Sequence, residues 1–223
     1  INITQNMRYD RATEIAMIRI IEPDSNCIDI GCHKGEILNI MLRLAPKGRH
    51  AGFEPIPDFY NYLIKKFKDK AEIYPYALSD KDGKAEFQYV KNAPAYSGLK
   101  KRDYQVSPKI DVINVDLKRL DDIMSDRPVR FIKIDVEGAE YDVLKGAMNM
   151  VKTNKPYIIF EFGFGASNYY NITPAKMYNL LCGEGGLKIS TLKNFNCNKA
   201  SLTLEDFEEL YLKKTEYYFI AHP

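Results

Sequence analysis

The chain alternates short apolar segments with segments whose apolar residues recur at helical spacing. Residues 26–30 and 49–54 are typical of strands, and residues 35–45 between them have the spacing of a helix. The alternation continues with a helix over 57–69 and a strand over 72–77. A strand followed by a helix and another strand favours a parallel sheet with crossover helices. The pattern therefore predicts an α/β fold.

The middle of the chain departs from this alternation. Residues 84–90 and 109–116 both alternate as strands with no helix between them, which predicts an extra strand pair. The polar link 91–108 is longer than a hairpin loop, and links of that length are often lids or binding loops. We expect one domain over 1–223, doubly wound around a mostly parallel sheet of about seven strands. The remaining predicted elements are helices over 11–21, 138–152, 174–182 and 203–213 and strands over 129–134, 156–162, 187–192 and 216–221.

Composition excludes several classes of function. With 32 Lys and Arg against 30 Asp and Glu, no global positive field favours a nucleic-acid partner. Hydrophobic residues make up 45% of the chain, which excludes a disordered or collagen-like protein. The four cysteines form no C-x-x-C pair and the three histidines are scattered, so we expect no zinc site and reduced thiols in a cytoplasm. We also expect no membrane span and no secretory signal.

The first predicted strand ends in a glycine-containing loop that starts a helix. Gly31 and Gly35 have the spacing G-x-x-x-G, so the dinucleotide pattern G-x-G-x-x-G is not met. Asp29, at the strand end, would repel a pyrophosphate but can hold the amino group of an amino-acid-like ligand. By itself this loop is equally compatible with a structural turn.

The next two strands also end in polar residues. Glu54 stands 23 residues after Gly31, where an acid can hold a ribose hydroxyl. It can equally cap the helix that starts near Pro57. Ser79 and Asp80 can accept from an adenine amine, or they can belong to an ordinary turn.

The fourth strand of the alternation is followed by a cluster of carboxylates. Asp135 and Glu137 come directly after the apolar strand, at the edge where ligands bind in such sheets. Glu137, and the acids that follow it, also suit the positive end of a helix dipole. Glu161 ends the next apolar strand and faces the same rim, where a buried carboxylate is either paired or catalytic.

These segments together resemble the FkbM-type methyltransferases over about residues 7–165. The segment FIKIDVEGAEYDVLKGA is highly specific for that family, whereas the glycine loop alone would not be. The other matching segments are IDIGCHKGEI (28–37), GFEPIP (52–57), YALSDKDGKAEF (76–87) and VDLKRLDDI (115–123).

The resemblance implies a class I, Rossmann-like fold with S-adenosylmethionine as cofactor. In that family the cofactor loop corresponds to Asp29, Gly31 and Gly35, and His33 stands where a second loop glycine often does. Glu54 corresponds to the acid that binds both ribose hydroxyls. Ser79 and Asp80 fall where adenine contacts lie, and Asp135 falls where a carboxylate borders the reacting methyl.

The resemblance further implies transfer of a methyl group to a hydroxyl, with a sugar or glycosylated metabolite as the expected acceptor. Candidate bases are Asp135, Glu137, Glu161 and His33, and we expect the reaction to need no metal. In the link, the residues that can contact the acceptor are Tyr96, Lys100, Lys101, Arg102 and Tyr104; a solvated loop explains them equally well. The alternatives are an NAD-dependent oxidoreductase on a similar fold and a cofactor-binding partner protein without activity.

Overall fold

The computed structural model describes residues 4–101 and 107–223. Its strands are β1 (Cys27–Ile30), β2 (Ala51–Phe53), β3 (Glu72–Tyr74), β4 (Tyr76–Leu78), β5 (Gly83–Val90), β6 (Ile110–Lys118), β7 (Phe131–Ile134), β8 (Tyr157–Glu161), β9 (Lys188–Thr191) and β10 (Tyr218–His222). Its α-helices are α1 (Gln5–Ile20), α2 (Glu36–Leu44), α3 (Pro57–Phe67), α4 (Leu120–Ile123), α5 (Glu140–Lys145), α6 (Met148–Asn154), α7 (Pro174–Tyr178), α8 (Leu192–Asn196) and α9 (Leu204–Lys213). Among these residues, no helix combines the length and apolar character needed to cross a membrane.

Seven strands form one sheet in the order β3-β2-β1-β7-β8-β10-β9. Neighbouring strands from β3 to β8 are parallel, whereas β10 is antiparallel to both β8 and β9. The direction of chain progression reverses between β1 and β7, so a crevice opens at the carboxyl ends of these strands. The prediction of a doubly wound, mostly parallel sheet of about seven strands is confirmed.

Helices cover both faces of this sheet. Every residue of β1, β2 and β7 is buried, as expected for strands enclosed on both sides. One core cluster joins the sheet to α1, α2, α3 and α8, and the other joins it to α5, α6, α7 and α9. The helix α8 was not predicted from the sequence.

The predicted strand 72–77 is in fact two strands that belong to different sheets. Pro75 separates them, because it has no N–H to donate to a ladder. Tyr76–Leu78 pairs in parallel with β6, and β6 pairs antiparallel with β5. The expected extra strand pair is therefore part of a three-stranded sheet in the order β4-β6-β5.

The predicted helix 138–152 is likewise divided, into α5 and α6. A Cβ on Gly146 would lie 2.0 Å from the carbonyl oxygen of Ser79, so the chain passes close to the end of β4 here. The Asp121 carboxylate accepts hydrogen bonds from the N–H groups of Asn149 and Met150 at 3.0 and 2.9 Å. These bonds satisfy N–H groups in the first turn of α6, which a continuous helix would not leave unpaired. The predicted helix 174–182 also changes, into α7 and a π-helical turn at Asn179–Glu184.

Candidate active site

A cavity of about 240 Å³ lies at the carboxyl ends of β1, β2 and β7, where the strand order reverses. The smaller sheet closes one side of it, and part of the link between β5 and β6 closes another. The residues that line it are Ile30, Gly31, His33, Phe53, Glu54, Pro55, Ile56, Tyr76, Ala77, Leu78, Phe87, Pro94, Ala95, Ser97, Leu99, Asp135, Val136, Glu137 and Ala139.

The glycine loop passes close to β7. Gly31 has a φ of +82°, and a Cβ there would lie 2.0 Å from the carbonyl oxygen of Asp135. Gly35 has a φ of +72°, and its Cβ would meet the ring of Phe67 at 2.5 Å. Because neither glycine has a Cβ, the loop can approach the backbone of Asp135 and the ring of Phe67 closely. Gly31 also lines the cavity.

Asp29 lies beneath the loop and is buried. Its Oδ2 accepts a hydrogen bond from the N–H of Leu38 at 3.1 Å, in the first turn of α2. Burial raises the pKa of Asp29 to about 7, although the positive charge of Lys133 opposes the shift. Asp29 thus contacts the start of α2 and is absent from the described residues that line the cavity.

Glu54 directly follows β2, and both of its carboxylate oxygens accept hydrogen bonds. Oε2 accepts from the His33 N–H at 2.8 Å and Oε1 from the Ile56 N–H at 2.9 Å. The side chain is only 4% exposed, and burial raises its pKa to about 7. Because Ile56 is the residue before α3, Glu54 does bind the start of that helix, and it also faces the cavity.

The His33 side chain faces the same cavity. Its ring packs on Phe59 with centroids 4.4 Å apart, and its buried Nε2 has no hydrogen-bond partner among the described residues. Burial lowers the pKa of His33, so the ring is neutral near pH 7. His33 adopts a φ of +49°. An unpaired buried ring nitrogen is a group that a ligand can satisfy.

Ser79 and Asp80 follow β4, and neither is among the described residues that line the cavity. The Asp80 carboxylate accepts from Lys145 Nζ at 2.8 Å, and this bond lowers its pKa. The smaller sheet instead contributes apolar side chains to the wall of the cavity. These side chains were not predicted from the sequence as site residues. They are Tyr76, Ala77, Leu78 and Phe87, and the alternation of their strands is the signal that could have indicated them.

Three carboxylates meet beside this cavity. Asp135, Glu137 and Glu161 each offer an oxygen within 4.8 Å of the others. Burial raises the pKa of Glu161, and the negative charge of Asp135 raises it further. Oxygen clusters of this type can attract hard cations. Here a lysine ammonium already contributes positive charge beside the three carboxylates. The expectation that the reaction needs no metal stays a prediction.

That ammonium belongs to Lys133, a buried residue of β7. Its Nζ donates to Asp135 Oδ2 at 2.9 Å, and the hydroxyl of Tyr218 donates to the same oxygen at 2.6 Å. Burial opposes ionisation of Asp135, but Lys133 and Tyr218 outweigh it and lower the pKa. Neither residue was identified from the sequence. A lysine inside an apolar strand is a usable signal, because a buried ammonium needs a partner.

The loop that carries Glu137 is shaped by Glu140. Oε1 of Glu140 accepts from the N–H groups of Val136 and Gly138 at 3.1 and 3.2 Å. Burial raises the pKa of Glu140 to about 7. Glu137 has a φ of +60°, so the loop turns sharply between β7 and α5. Glu140 therefore fixes the backbone beside the carboxylate cluster.

The residues expected to contact an acceptor lie in the link between β5 and β6. Tyr96 is 40% exposed, and Lys101 is also exposed. Lys100 Nζ donates to the carbonyl oxygen of Tyr169 at 3.0 Å, so its ammonium has a partner inside the chain. Arg102 and Tyr104 lie outside the described residues.

The sheet order and the cavity can now be compared with known proteins. Residues 29–188 match the family described as the methyltransferase FkbM domain. The chain belongs to this family. The match confirms the resemblance seen in the sequence. Members of this family take the methyl group from S-adenosylmethionine. The match gives no support to the alternative of an NAD-dependent oxidoreductase.

Individual relatives are more distant. "Methyltransferase 1" of Beauveria bassiana is 26% identical over 55% of this chain, and the AMB antimetabolite synthetase AmbE of Pseudomonas aeruginosa is 24% identical over 64%. The chain spans 58% of the first protein and 8% of the second. The crystal structure of methyltransferase FkbM from Methylobacillus flagellatus aligns with a TM-score of 0.57 at 16% identity, over 91% of this chain and 44% of that one. This likeness shows a shared fold.

Proposed function

We propose that this chain transfers a methyl group from S-adenosylmethionine to a hydroxyl of a sugar or glycosylated metabolite. The observation that carries the proposal is the composition of a single cavity. Glu54, Asp135 and Glu137 line it together with apolar side chains from the smaller sheet. The FkbM family match supports the donor.

The described residues fit the chemical groups of this donor. Glu54 is fixed by two backbone N–H groups and keeps lone pairs for ribose hydroxyls. Tyr76, Leu78 and Phe87 offer an apolar surface for the adenine ring. His33 offers a buried ring nitrogen that has no hydrogen-bond partner within residues 4–101 and 107–223. When bound, S-adenosylmethionine supplies an electrophilic methyl carbon on a positively charged sulfur.

In this proposal the carboxylate cluster acts on the acceptor. Asp135 is held as an anion by Lys133 and Tyr218, which both donate to Oδ2. It orients the hydroxyl or accepts its proton, and Glu137 and Glu161 are the other candidate bases in the cluster. Alignment of the reacting atoms supplies the larger part of the rate enhancement.

The choice of a sugar hydroxyl rests on chemistry at the rim of the cavity. Carboxylates accept hydrogen bonds from hydroxyls, and the exposed ring of Tyr96 can pack against an apolar sugar face. We propose that the chain acts as one domain over 1–223 in the cytoplasm, a compartment in keeping with its four free cysteines.

The test is incubation of the purified chain with methyl-labelled donor and a panel of acceptors. The panel contains glycosides, the matching aglycones and a ribosomal RNA fragment, with Asp135→Asn as the inactive control. Label on glycosides alone supports the proposal. Label on the RNA alone would replace the proposed acceptor class. If the donor binds but no acceptor is labelled, the alternative of a partner protein without activity is favoured.

A further inference from the structure

Residues 94–100, here called the cover segment, lie over the cavity that we assign to the donor. Four of them form part of its wall: Pro94, Ala95, Ser97 and Leu99. Ser97 is buried, so this part of the cover segment packs against the rest of the protein.

The cover segment is attached to β5 at Ser97 and Gly98. The N–H of Gln88 donates to the carbonyl of Gly98 at 2.8 Å, and the N–H of Gly98 donates back at 3.2 Å. The N–H of Val90 donates to Ser97 Oγ at 3.0 Å. These three bonds extend the smaller sheet by one short bridge.

Two residues beyond this bridge, Lys100 binds a turn that follows β8. Its Nζ donates to the Tyr169 carbonyl at 3.0 Å and lies 4.6 Å from the centroid of the Tyr170 ring. Both tyrosines lie in the 3-10 turn Ser167–Tyr170, which follows β8. The ammonium thus joins two segments that are 69 residues apart in the chain.

The turn that accepts the Lys100 hydrogen bond packs on the loop that carries Glu137. A Cβ on Gly138 would lie 2.8 Å from the Tyr170 ring and from the carbonyl oxygen of Ala166. A Cβ on Gly98 would lie 3.5 Å from Cβ of Glu137, so the cover segment reaches the same loop from the other side. Lys100 therefore links the cover segment to a turn that packs beside Gly138.

We propose that Lys100 is a positioning residue that holds the cover segment closed over the bound donor. The inference rests on the proposed donor site, and it gives Lys100 a role different from the acceptor contact that the sequence suggested. The lysine is exposed, so its removal should leave the fold intact. Its hydrogen bond and its cation–π contact oppose opening, so its loss should act on the dissociation of the donor.

The experiment measures the association and dissociation of S-adenosylhomocysteine on the immobilised chain by surface plasmon resonance. The variants are Lys100→Met, the conservative Lys100→Arg and the control Lys109→Met, at an exposed lysine near the other end of the link. We expect S-adenosylhomocysteine to dissociate about three- to tenfold faster from Lys100→Met, with little change in the association rate. The rates for Lys100→Arg and Lys109→Met should stay within about twofold of the wild type, because Arg keeps an N–H donor and the positive charge.

Other outcomes separate this inference from the proposed function. If S-adenosylhomocysteine dissociates from Lys100→Met at the wild-type rate, Lys100 does not hold the cover segment closed. A higher KM for the acceptor in that variant would then indicate that Lys100 contacts the acceptor. Equal acceleration in Lys100→Met and Lys109→Met would also overturn the proposed role of Lys100, because the effect would then be one of surface charge. Failure of the wild type to bind S-adenosylhomocysteine would refute the donor site itself.

Discussion

The hydroxyl of Tyr218 donates a 2.6 Å hydrogen bond to Oδ2 of Asp135, although the two residues are 83 positions apart. The antiparallel direction of β10 explains this contact. Because β10 runs against β8, its first residue pairs with Glu161, the last residue of β8. The start of β10 therefore lies at the same edge of the sheet as the carboxyl end of β7.

This contact leads to a prediction about turnover. Asp135→Asn should reduce the rate of methyl transfer by about 10²- to 10⁴-fold, the usual contribution of a positioned base. Tyr218→Phe should cause a smaller loss, because Lys133 still holds the carboxylate. Initial rates with labelled donor measure both effects. Tyr217→Phe is the matched control, since its hydroxyl donates to Asn6 at the surface. Equal losses in the two tyrosine variants would refute a specific role for Tyr218.

A second prediction concerns Glu54 and the binding of S-adenosylhomocysteine. Glu54→Ala should weaken binding by about 2–3 kcal/mol, because it removes the charged acceptor of two hydroxyls. Glu54→Gln should lose less, since its amide oxygen can still accept one N–H and one hydroxyl. Titration calorimetry measures the affinities, with the exposed Glu86→Ala as control. If the alanine variant loses stability but its folded fraction binds normally, Glu54 serves only the start of α3.

The third prediction concerns metal removal. Exhaustive treatment with EDTA should leave turnover unchanged, because the ammonium of Lys133 already supplies positive charge at Asp135. Initial rates before and after treatment, with a mock-treated sample as control, provide the measurement. A loss of activity that Mg²⁺ or Mn²⁺ restores would instead make the three carboxylates ligands of a catalytic cation.

The fourth prediction concerns the pH dependence of stability without ligand. Burial raises the pKa of Glu140 to about 7, so the folded state binds more protons than the unfolded state between about pH 4.5 and 7. The contribution of Glu140 to the free energy of unfolding should therefore fall as pH rises through this window. Asp29 and Glu54 have pKa values raised to about 7 by burial and act in the same direction.

Urea unfolding at pH 5, 6, 7 and 8 measures this slope. Glu140→Gln should flatten it, because the amide keeps an oxygen acceptor for Val136 and Gly138 but does not titrate. Glu205→Gln, in the exposed first turn of α9, is the control and should leave the slope unchanged. A slope in Glu140→Gln equal to that of the wild type would show that the Glu140 proton does not differ between the two states.

Some positions could be predicted because their signals are local. The alternation from Cys27 to Phe67 follows the periods of strand and helix, and it correctly indicated a parallel sheet. Polar residues such as Glu54 and Asp135 follow apolar strands directly, so the shared edge of a parallel sheet brings them to one cavity. These inferences need only the spacing of residues along the chain and the known geometry of the two elements.

Other features depend on contacts between distant segments. No local pattern indicates that Tyr218 bonds Asp135, or that Lys100 reaches Tyr169, because strand order and chain reversals decide which ends meet. The division of the helix at Gly146 likewise depends on the approach of Ser79 from β4. The periodicity of the sequence determines which side of each segment is apolar and becomes buried. The tertiary structure decides which polar side chains form pairs, because that depends on which segments pack together.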